Sequence, residues 1–590
     1  MQQVIYTITA NCRDCCRCVR ECPVKAIRIS GGQAQVEDGL CIKCGTCVRE
    51  CPQHAKTVRS DLEEAKALLS AQAAADLRAA DSSAGTSDAT HSAAGTGRIV
   101  VASIAPSFAA LFPDELGRRL PSALRQLGFR FVGETAEGAK YITDQSFSNP
   151  QTGSISTACP AVVNFVEKYH PEYLDTLIPV VSPMIAHGRM IKTRYGGWPA
   201  VVFIGPCAAK KQEILRPENI DAVDVVLTFA ELMEWLSSEN IQLENCTESD
   251  FDRFYEIGDA RLFPIPGGML KTGGIPSDVA QADVLHVSGA EGVMALFSGH
   301  ADFEGKLIEP LFCKGGCIGG PCFGSAANQN LFARRENVIR YVNATGKNDA
   351  GLSTAQISHR ADFVRDEQKS EEVLDDQIQK ILESTGKSDP AHQLNCGACG
   401  YKSCYENAVA VARGMAEPET CIPHMRRIAQ QRTDRIIDTT PNGIVILDGE
   451  LCMVKMNPAF QKMFMCNNGI LGRRISYLVN ADGFESLQSG TAEQYESIQT
   501  KYGIQYHEKL YALREEKQYV GIYSNLSKVK YDARQLDTVK AQTLMHAREF
   551  LDHQVRFAQE MAHFLGKSTA QSEAIAKRLI GLYEEEGDMD

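Results

Sequence analysis

The segment Glu309-Pro-Leu-Phe-Cys313-Lys-Gly-Gly-Cys317-Ile-Gly-Gly-Pro-Cys322 constrains this chain more than any other. Three residues, two of them glycine, separate Cys313 from Cys317, so the backbone can fold tightly and bring two soft thiolates to one inorganic centre. Two thiolates cannot hold a four-iron cubane. The other ligands must come from elsewhere, and the chain offers two isolated cysteines beside proline, in Thr157-Ala158-Cys159-Pro160 and in Gly205-Pro206-Cys207-Ala208-Ala209-Lys210-Lys211. The bland alternative is that all four are small buried hydrophobes, as free cysteines often are. It requires three ordered motifs to coincide by accident.

Residues 1–57 hold two further runs, Cys12-x2-Cys15-x2-Cys18-x3-Cys22-Pro23 and Cys41-x2-Cys44-x2-Cys47-x3-Cys51-Pro52. This spacing is similar to that of the two-cluster bacterial ferredoxins, in which the fourth cysteine of each run ligates the other cluster. The resemblance implies one [4Fe-4S] cluster on Cys12, Cys15, Cys18 and Cys51 and another on Cys41, Cys44, Cys47 and Cys22. Cys16 is left over. A pair of zinc sites is the competing reading, and the duplicated pattern, each run closed by proline, argues against it. With 21 cysteines in 590 residues, the chain reads as a set of metal ligands in a reducing compartment rather than a disulfide framework.

Length predicts about four domains. Asp61 to about Arg78 has helical spacing, and Asp81 to Gly97 is almost wholly Ala, Ser, Gly and Thr, a flexible linker that would make the N-terminal module a partly independent electron port. The apolar strands Arg98-Ile-Val-Val-Ala-Ser-Ile-Ala-Pro106 and Trp198-Pro-Ala-Val-Val-Phe-Ile-Gly-Pro206 alternate with helical stretches at Pro121–Leu127 and Ala161–Tyr169, which predicts an α/β multidomain chain. Cys159 and Cys207 then fall where strands or loops end, a usual place for ligands in such folds. The expected boundaries are 1–57 ferredoxin domain, 58–97 helix and linker, 98–385 cluster-binding α/β domain, 386–428 iron–sulfur module, 429–528 PAS domain and 529–590 C-terminal helix.

In chain order, the motifs at Cys159, Cys207 and Cys313 to Cys317 resemble the three signature motifs of the iron-iron hydrogenases. The resemblance implies an H-cluster: a [4Fe-4S] cubane on Cys159, Cys207, Cys313 and Cys317, bridged by Cys317 to a two-iron subcluster carrying CO, cyanide and azadithiolate. Lys210 matches the family lysine that donates to a cyanide ligand, and Lys211 beside it is expected to be solvated. The implied reaction is reversible splitting of H2 into a proton and a hydride, with electrons leaving one at a time. This chain departs from the catalytic branch at three places. Ala158 replaces the proton-relay cysteine, and Gly205 and Leu311 replace two methionines that surround the cluster.

Polar helical residues at Asp375–Leu382 precede Cys396-x2-Cys399-x4-Cys404-x16-Cys421, which resembles a small [4Fe-4S] module of electron-transfer proteins; structural zinc is the alternative. Gly443-Ile-Val-Ile-Leu-Asp-Gly-Glu-Leu-Cys-Met-Val-Lys-Met-Asn-Pro-Ala-Phe460, with strands at Gln505–Leu513 and Gln518–Tyr523, resembles a PAS (α+β) domain, and Cys452 and Cys466 read as packing residues. From Leu536 to Tyr583 a heptad-like stripe predicts a helix that packs on its own domain or pairs in a homodimer. The architecture resembles the sensory iron-iron hydrogenases. It implies an H2 or redox sensor of low turnover, with three accessory [4Fe-4S] clusters, a ferredoxin-like redox partner and a signalling kinase or phosphatase in another chain. The alternative is a bulk hydrogenase that uses the PAS fold for docking. A net charge of −13 argues against nucleic acid, and no apolar run reaches the ~20 residues of a membrane helix, so a cytoplasmic location is expected.

Overall fold

The computed structural model describes residues 3–83, 98–148, 154–196, 199–276, 282–298, 303–324, 330–345, 357–368 and 372–527. The chain forms two compact units, divided between Arg426 and Arg427. The stretches 84–97 and 528–590, which hold most of the expected linker and the C-terminal stripe, lie outside the described residues.

The first unit begins with an antiparallel pair, β1 (Ile5–Thr7) and β4 (Lys56–Val58), and a hairpin of β2 (Ile27–Ser30) and β3 (Gln33–Val36). Short helices at Arg17–Glu21 and Thr46–Arg49 carry the third cysteine of each run, Cys18 and Cys47. The helix expected from Asp61 spans Leu62–Ser83.

The centre of the unit is a parallel sheet in the order β6-β5-β7-β8, with β5 Val100–Ile104, β6 Phe131–Glu134, β7 Ala200–Gly205 and β8 Val225–Thr228. Every residue of β5, β7 and β8 is buried, as continuous β-branched strands covered on both faces require. A separate parallel pair, β9 (Val284–Ser288) and β10 (Leu307–Leu311), delivers the chain to Cys313. The helix Pro160–Tyr169 contains the predicted stretch Ala161–Tyr169, and the helix Glu115–Gln126 covers the other from Pro121 to Gln126, with Leu127 as its C-cap.

Two expectations change here. Lys211 is not solvated: its side chain is 0% exposed, and Nζ donates to Asp61 Oδ2 at 2.9 Å, to Glu231 Oε1 at 3.1 Å and to the Val226 carbonyl at 2.8 Å. Glu231 also closes a capping box with Thr228. Nor is the N-terminal module loosely tethered, because the Asn164, Lys168 and Tyr169 side chains donate to the carbonyls of Ile42, Gly39 and Leu40. Composition marked the tether but carried no trace of these contacts.

The second unit is an antiparallel sheet in the order β12-β11-β15-β14-β13, formed by β11 Gly443–Leu447, β12 Met453–Met456, β13 Gln494–Lys501, β14 Ile504–Leu513 and β15 Gln518–Asn525. Helices at Pro458–Met463 and Asp482–Gln488 bring Phe460 and Phe484 against its buried Val445, Leu510 and Tyr523. Asn457 fixes the first helix: its buried Oδ1 accepts from Phe460 N and Ile444 N, and its Nδ2 donates to the Ile437 and Asn442 carbonyls. Cys466 packs 3.8 Å from the Met456 sulfur.

Removing one partner from a buried ion pair leaves an uncompensated charge and costs about 3 to 5 kcal/mol. Lys211→Met should therefore lower unfolding stability by about 3 kcal/mol in denaturant titrations, with Asp61 keeping only Arg59 as counter-ion.

Candidate metal centre

Three different local structures present the central cysteines. Cys159 caps the helix Pro160–Tyr169 in extended conformation, and Cys207 follows the end of β7 by two residues. Cys313 and Cys317 flank a turn through Gly315 and Gly316, with φ of +76° and +84°. Glycine is required at 316, since a Cβ there would stand 2.5 Å from the Pro264 carbonyl oxygen. The segment leading to Cys159 runs beside β10, where Ser156 N donates to the Ile308 carbonyl at 2.9 Å.

These four thiols face one another. Burial pushes the Cys207 thiol up to about 11, against the pull of Lys210 and with the help of Cys159. Cys313 and Cys317 are also raised by burial first, and then by the remaining members of the set. A buried thiol of this kind stays protonated until a cation compensates its charge, so the donor set fits a positively charged iron–sulfur core.

Cys317 also lines a cavity of about 60 Å³ together with Ala158, Leu311, Phe203, Ser107 and Lys210. The walls are mostly apolar, with a few placed polar groups, the usual make-up of a small-ligand site. Lys210 Nζ is held by Ser182 Oγ at 3.1 Å and Glu213 Oε2 at 3.0 Å, and lies 5.7 Å from the Phe203 ring centre. Burial disfavours its ammonium, but the Glu213 and Cys207 charges outweigh that and raise its pKa. Ser107 Oγ is buried there without a hydrogen-bond partner. An orphaned hydroxyl beside a fixed ammonium fits an anionic, hydrogen-bond-accepting group such as the implied subcluster.

Sequence reasoning missed Phe203 and Glu309. A Cβ on Gly205 would lie 2.8 Å from the Phe203 ring, so the phenylalanine fills the space that a longer side chain at 205 would need. Burial raises the Glu309 carboxyl to about 8, backbone donors at Met269, Leu270 and Gly267 only partly oppose this, and its Oε2 has no partner. Both lie in the segments that lead to Cys207 and Cys313, but nothing in those segments marks either side chain.

The N-terminal cysteines group across the two runs. Burial lifts Cys18 to about 11, and its thiol neighbours are Cys15, Cys12 and Cys51. Cys22 is lifted to about 12 by burial and by Cys44 and Cys41, and Cys47 is raised by burial and by Cys44, Cys22 and Cys41. Cys44 in turn is a neighbour of Cys159 and Cys313. Farther along, Cys396, Cys399, Cys404 and Cys421 line a second cavity of about 30 Å³. The buried Lys387, another residue without a sequence signal, donates to Cys421 Sγ at 2.9 Å. Among the described residues no three His, Cys, Asp or Glu side chains could hold a single metal ion.

Residues 98–321 match the family described as iron only hydrogenase large subunit, C-terminal domain. Residues 4–65 match the 4Fe-4S dicluster domain, and residues 393–423 match an Fe-S cluster family. Among curated proteins, the chain is 28% identical over 290 residues to the NADP-reducing hydrogenase subunit HndD of Solidesulfovibrio fructosivorans, covering 38% of this chain and 49% of that one. It is 28% identical over 193 residues to iron hydrogenase 1 of Clostridium pasteurianum, covering 29% and 34%. It is 34% identical over 106 residues to the cytosolic Fe-S cluster assembly factor NAR1 of Vanderwaltozyma polyspora, covering 18% and 20%. The chain thus spans half or less of the length of these three relatives. The central domain is hydrogenase-like, and the chain carries iron–sulfur cluster domains at both ends of it.

Overpacking a filled core costs about 1 to 3 kcal/mol. Gly205→Met should destabilise the protein by that amount, and Phe203→Ala/Gly205→Met should recover most of the loss, as thermal or denaturant unfolding would register.

Proposed function

We propose that this chain is a hydrogenase-like sensor that binds or slowly turns over H2 and reports redox state through iron–sulfur clusters to a PAS-type C-terminal unit. The observation that carries the reading is Ala158 in the wall of the cavity beside Cys317. Proton transfer needs a titratable group within hydrogen-bond reach, and a methyl side chain is neither donor nor acceptor.

In this reading Cys159, Cys207, Cys313 and Cys317 would hold a cubane, and Cys317 would also be the ligand shared with a two-iron subcluster. When bound, that group supplies the polarisation of H2 and an amine base. Lys210, fixed by Ser182 and Glu213, orients its anionic face, while Phe203, Met184 and Leu311 keep water out. The cysteine sets at 12, 15, 18 and 51, at 22, 41, 44 and 47, and at 396, 399, 404 and 421 hold three accessory clusters. A ferredoxin-like protein exchanges electrons with them, and a kinase or phosphatase in another chain receives the signal. The five-stranded antiparallel sheet with helices over one face supports a PAS reading of the second unit, and the stripe beyond it supports a homodimer.

A positioned relay contributes ~10²- to 10⁴-fold in rate, or roughly 3 to 5 kcal/mol of barrier. Ala158→Cys should accordingly raise H2 turnover, by less than the full factor because Gly205 and Leu311 remain. A natural protein that already matches a catalytic hydrogenase, with no gain from Ala158→Cys, would instead be a bulk enzyme. Infrared spectra of the matured protein should show CO and cyanide stretches that disappear in Cys317→Ala. Intact bands in that variant would remove Cys317 from the bridging position.

A further inference from the structure

The ferredoxin-like segment is built twice over, and its two halves turn the same backbone position toward different neighbours. Gly45, after Cys44, is the left-handed N-cap (φ 74°) of the helix Thr46–Arg49. Its missing side chain lets the turn press on Pro321 and Ala208 of the hydrogenase-like domain, and Arg49 adds a bond to the Gly319 carbonyl. Cys16, after Cys15, is the left-handed N-cap (φ 53°) of the helix Arg17–Glu21. It faces the 396–421 module: Cys16 and Cys18 share one apolar cluster with Cys399, Tyr401, Ala410 and Ala416.

That second contact is clasped by specific bonds. Lys25 Nζ donates to the carbonyls of Val19, Arg20 and Gly400 at 2.9, 3.0 and 3.0 Å, joining the end of one helix to the opposite module. Ile29 N donates to the Met415 carbonyl and Gly31 N to Glu417 Oε1, each at 2.9 Å. Gly400, at φ +90°, sits so close that a Cβ would lie 2.8 Å from the Val19 Cβ.

We infer that the ferredoxin-like segment is a two-faced connector, in which the Cys12, Cys15, Cys18 and Cys51 site exchanges electrons with the Cys396, Cys399, Cys404 and Cys421 site across the Lys25 clasp. The C-terminal module then communicates with the central site through the ferredoxin-like segment. One electron given up by one site is taken up by the other, with no bond made or broken and no outside oxidant. The inference rests on the reading that both sets hold clusters, but it does not need H2 chemistry.

Frozen-solution electron paramagnetic resonance of the dithionite-reduced full chain tests it, with iron content measured in parallel. The wild type should show spin–spin broadening that Cys404→Ala partly removes, and Lys25→Met/Glu417→Ala should lose that same part at unchanged iron content. Glu417→Ala alone, which leaves the lysine in place, should lose some of it and serves if the double variant fails to fold. Equal line widths in wild type and Cys404→Ala, or an iron-replete clasp variant with wild-type width, overturn the inference. A chain without iron at 396–421 fails the underlying reading instead.

Discussion

A thiolate taken out of water without a cation beside it is too costly to persist, and that constraint governs the first unit of this protein. Burial raises the thiol pKa of Cys22, Cys41, Cys207 and Cys317 alike. The fold gathers these groups with single protein cations beside them, such as Lys43 by Cys41, Lys56 by Cys18 and Cys47, Lys210 by Cys207 and Cys317, and Lys387 on Cys421. Such buried thiols suit a positively charged core, and a core held by ligands as distant in the chain as Cys159, Cys207 and Cys317 would contribute to folding free energy.

The geometry around the central set separates what the backbone needs from what chemistry needs. Gly316 is fixed by the Pro264 carbonyl, and Gly205 by the Phe203 ring, so these glycines are explained by packing alone. Ala158 is set apart from these glycines by lining the cavity beside Cys317.

Whereas Cys159, Cys207, Cys313 and Cys317 come from three separate segments and were grouped by resemblance, the cysteine runs at 12–22, 41–51 and 396–421 stood out in the sequence because their spacing is that of a turn. The strands around Val100–Ile104 and Ala200–Gly205 were legible for a similar reason, as unbroken β-branched runs can only be buried. Lys211 was not legible. Its neighbour Lys210 has the same chemistry, and only the arrival of Asp61 and Glu231, far away in sequence, decides that Lys211 is buried. Lys387 and the Lys25 clasp escaped for the same reason: each takes its role from a partner brought close by the tertiary fold. Composition indicated a tether after residue 80 but could not indicate how firmly the segment before it is held.

Surface ion pairs weaken within a Debye length of about 8 to 10 Å at ordinary salt, whereas buried ones are screened far less. The pairs of Lys211 with Asp61 and Glu231 lie in the second class, with side-chain exposures of 0%, 3% and 8%. The seat of the N-terminal segment on the hydrogenase-like domain is therefore insensitive to ionic strength. Changes in salt that loosen exposed ion pairs leave these buried contacts of Asp61 and Glu231 with Lys211 in place.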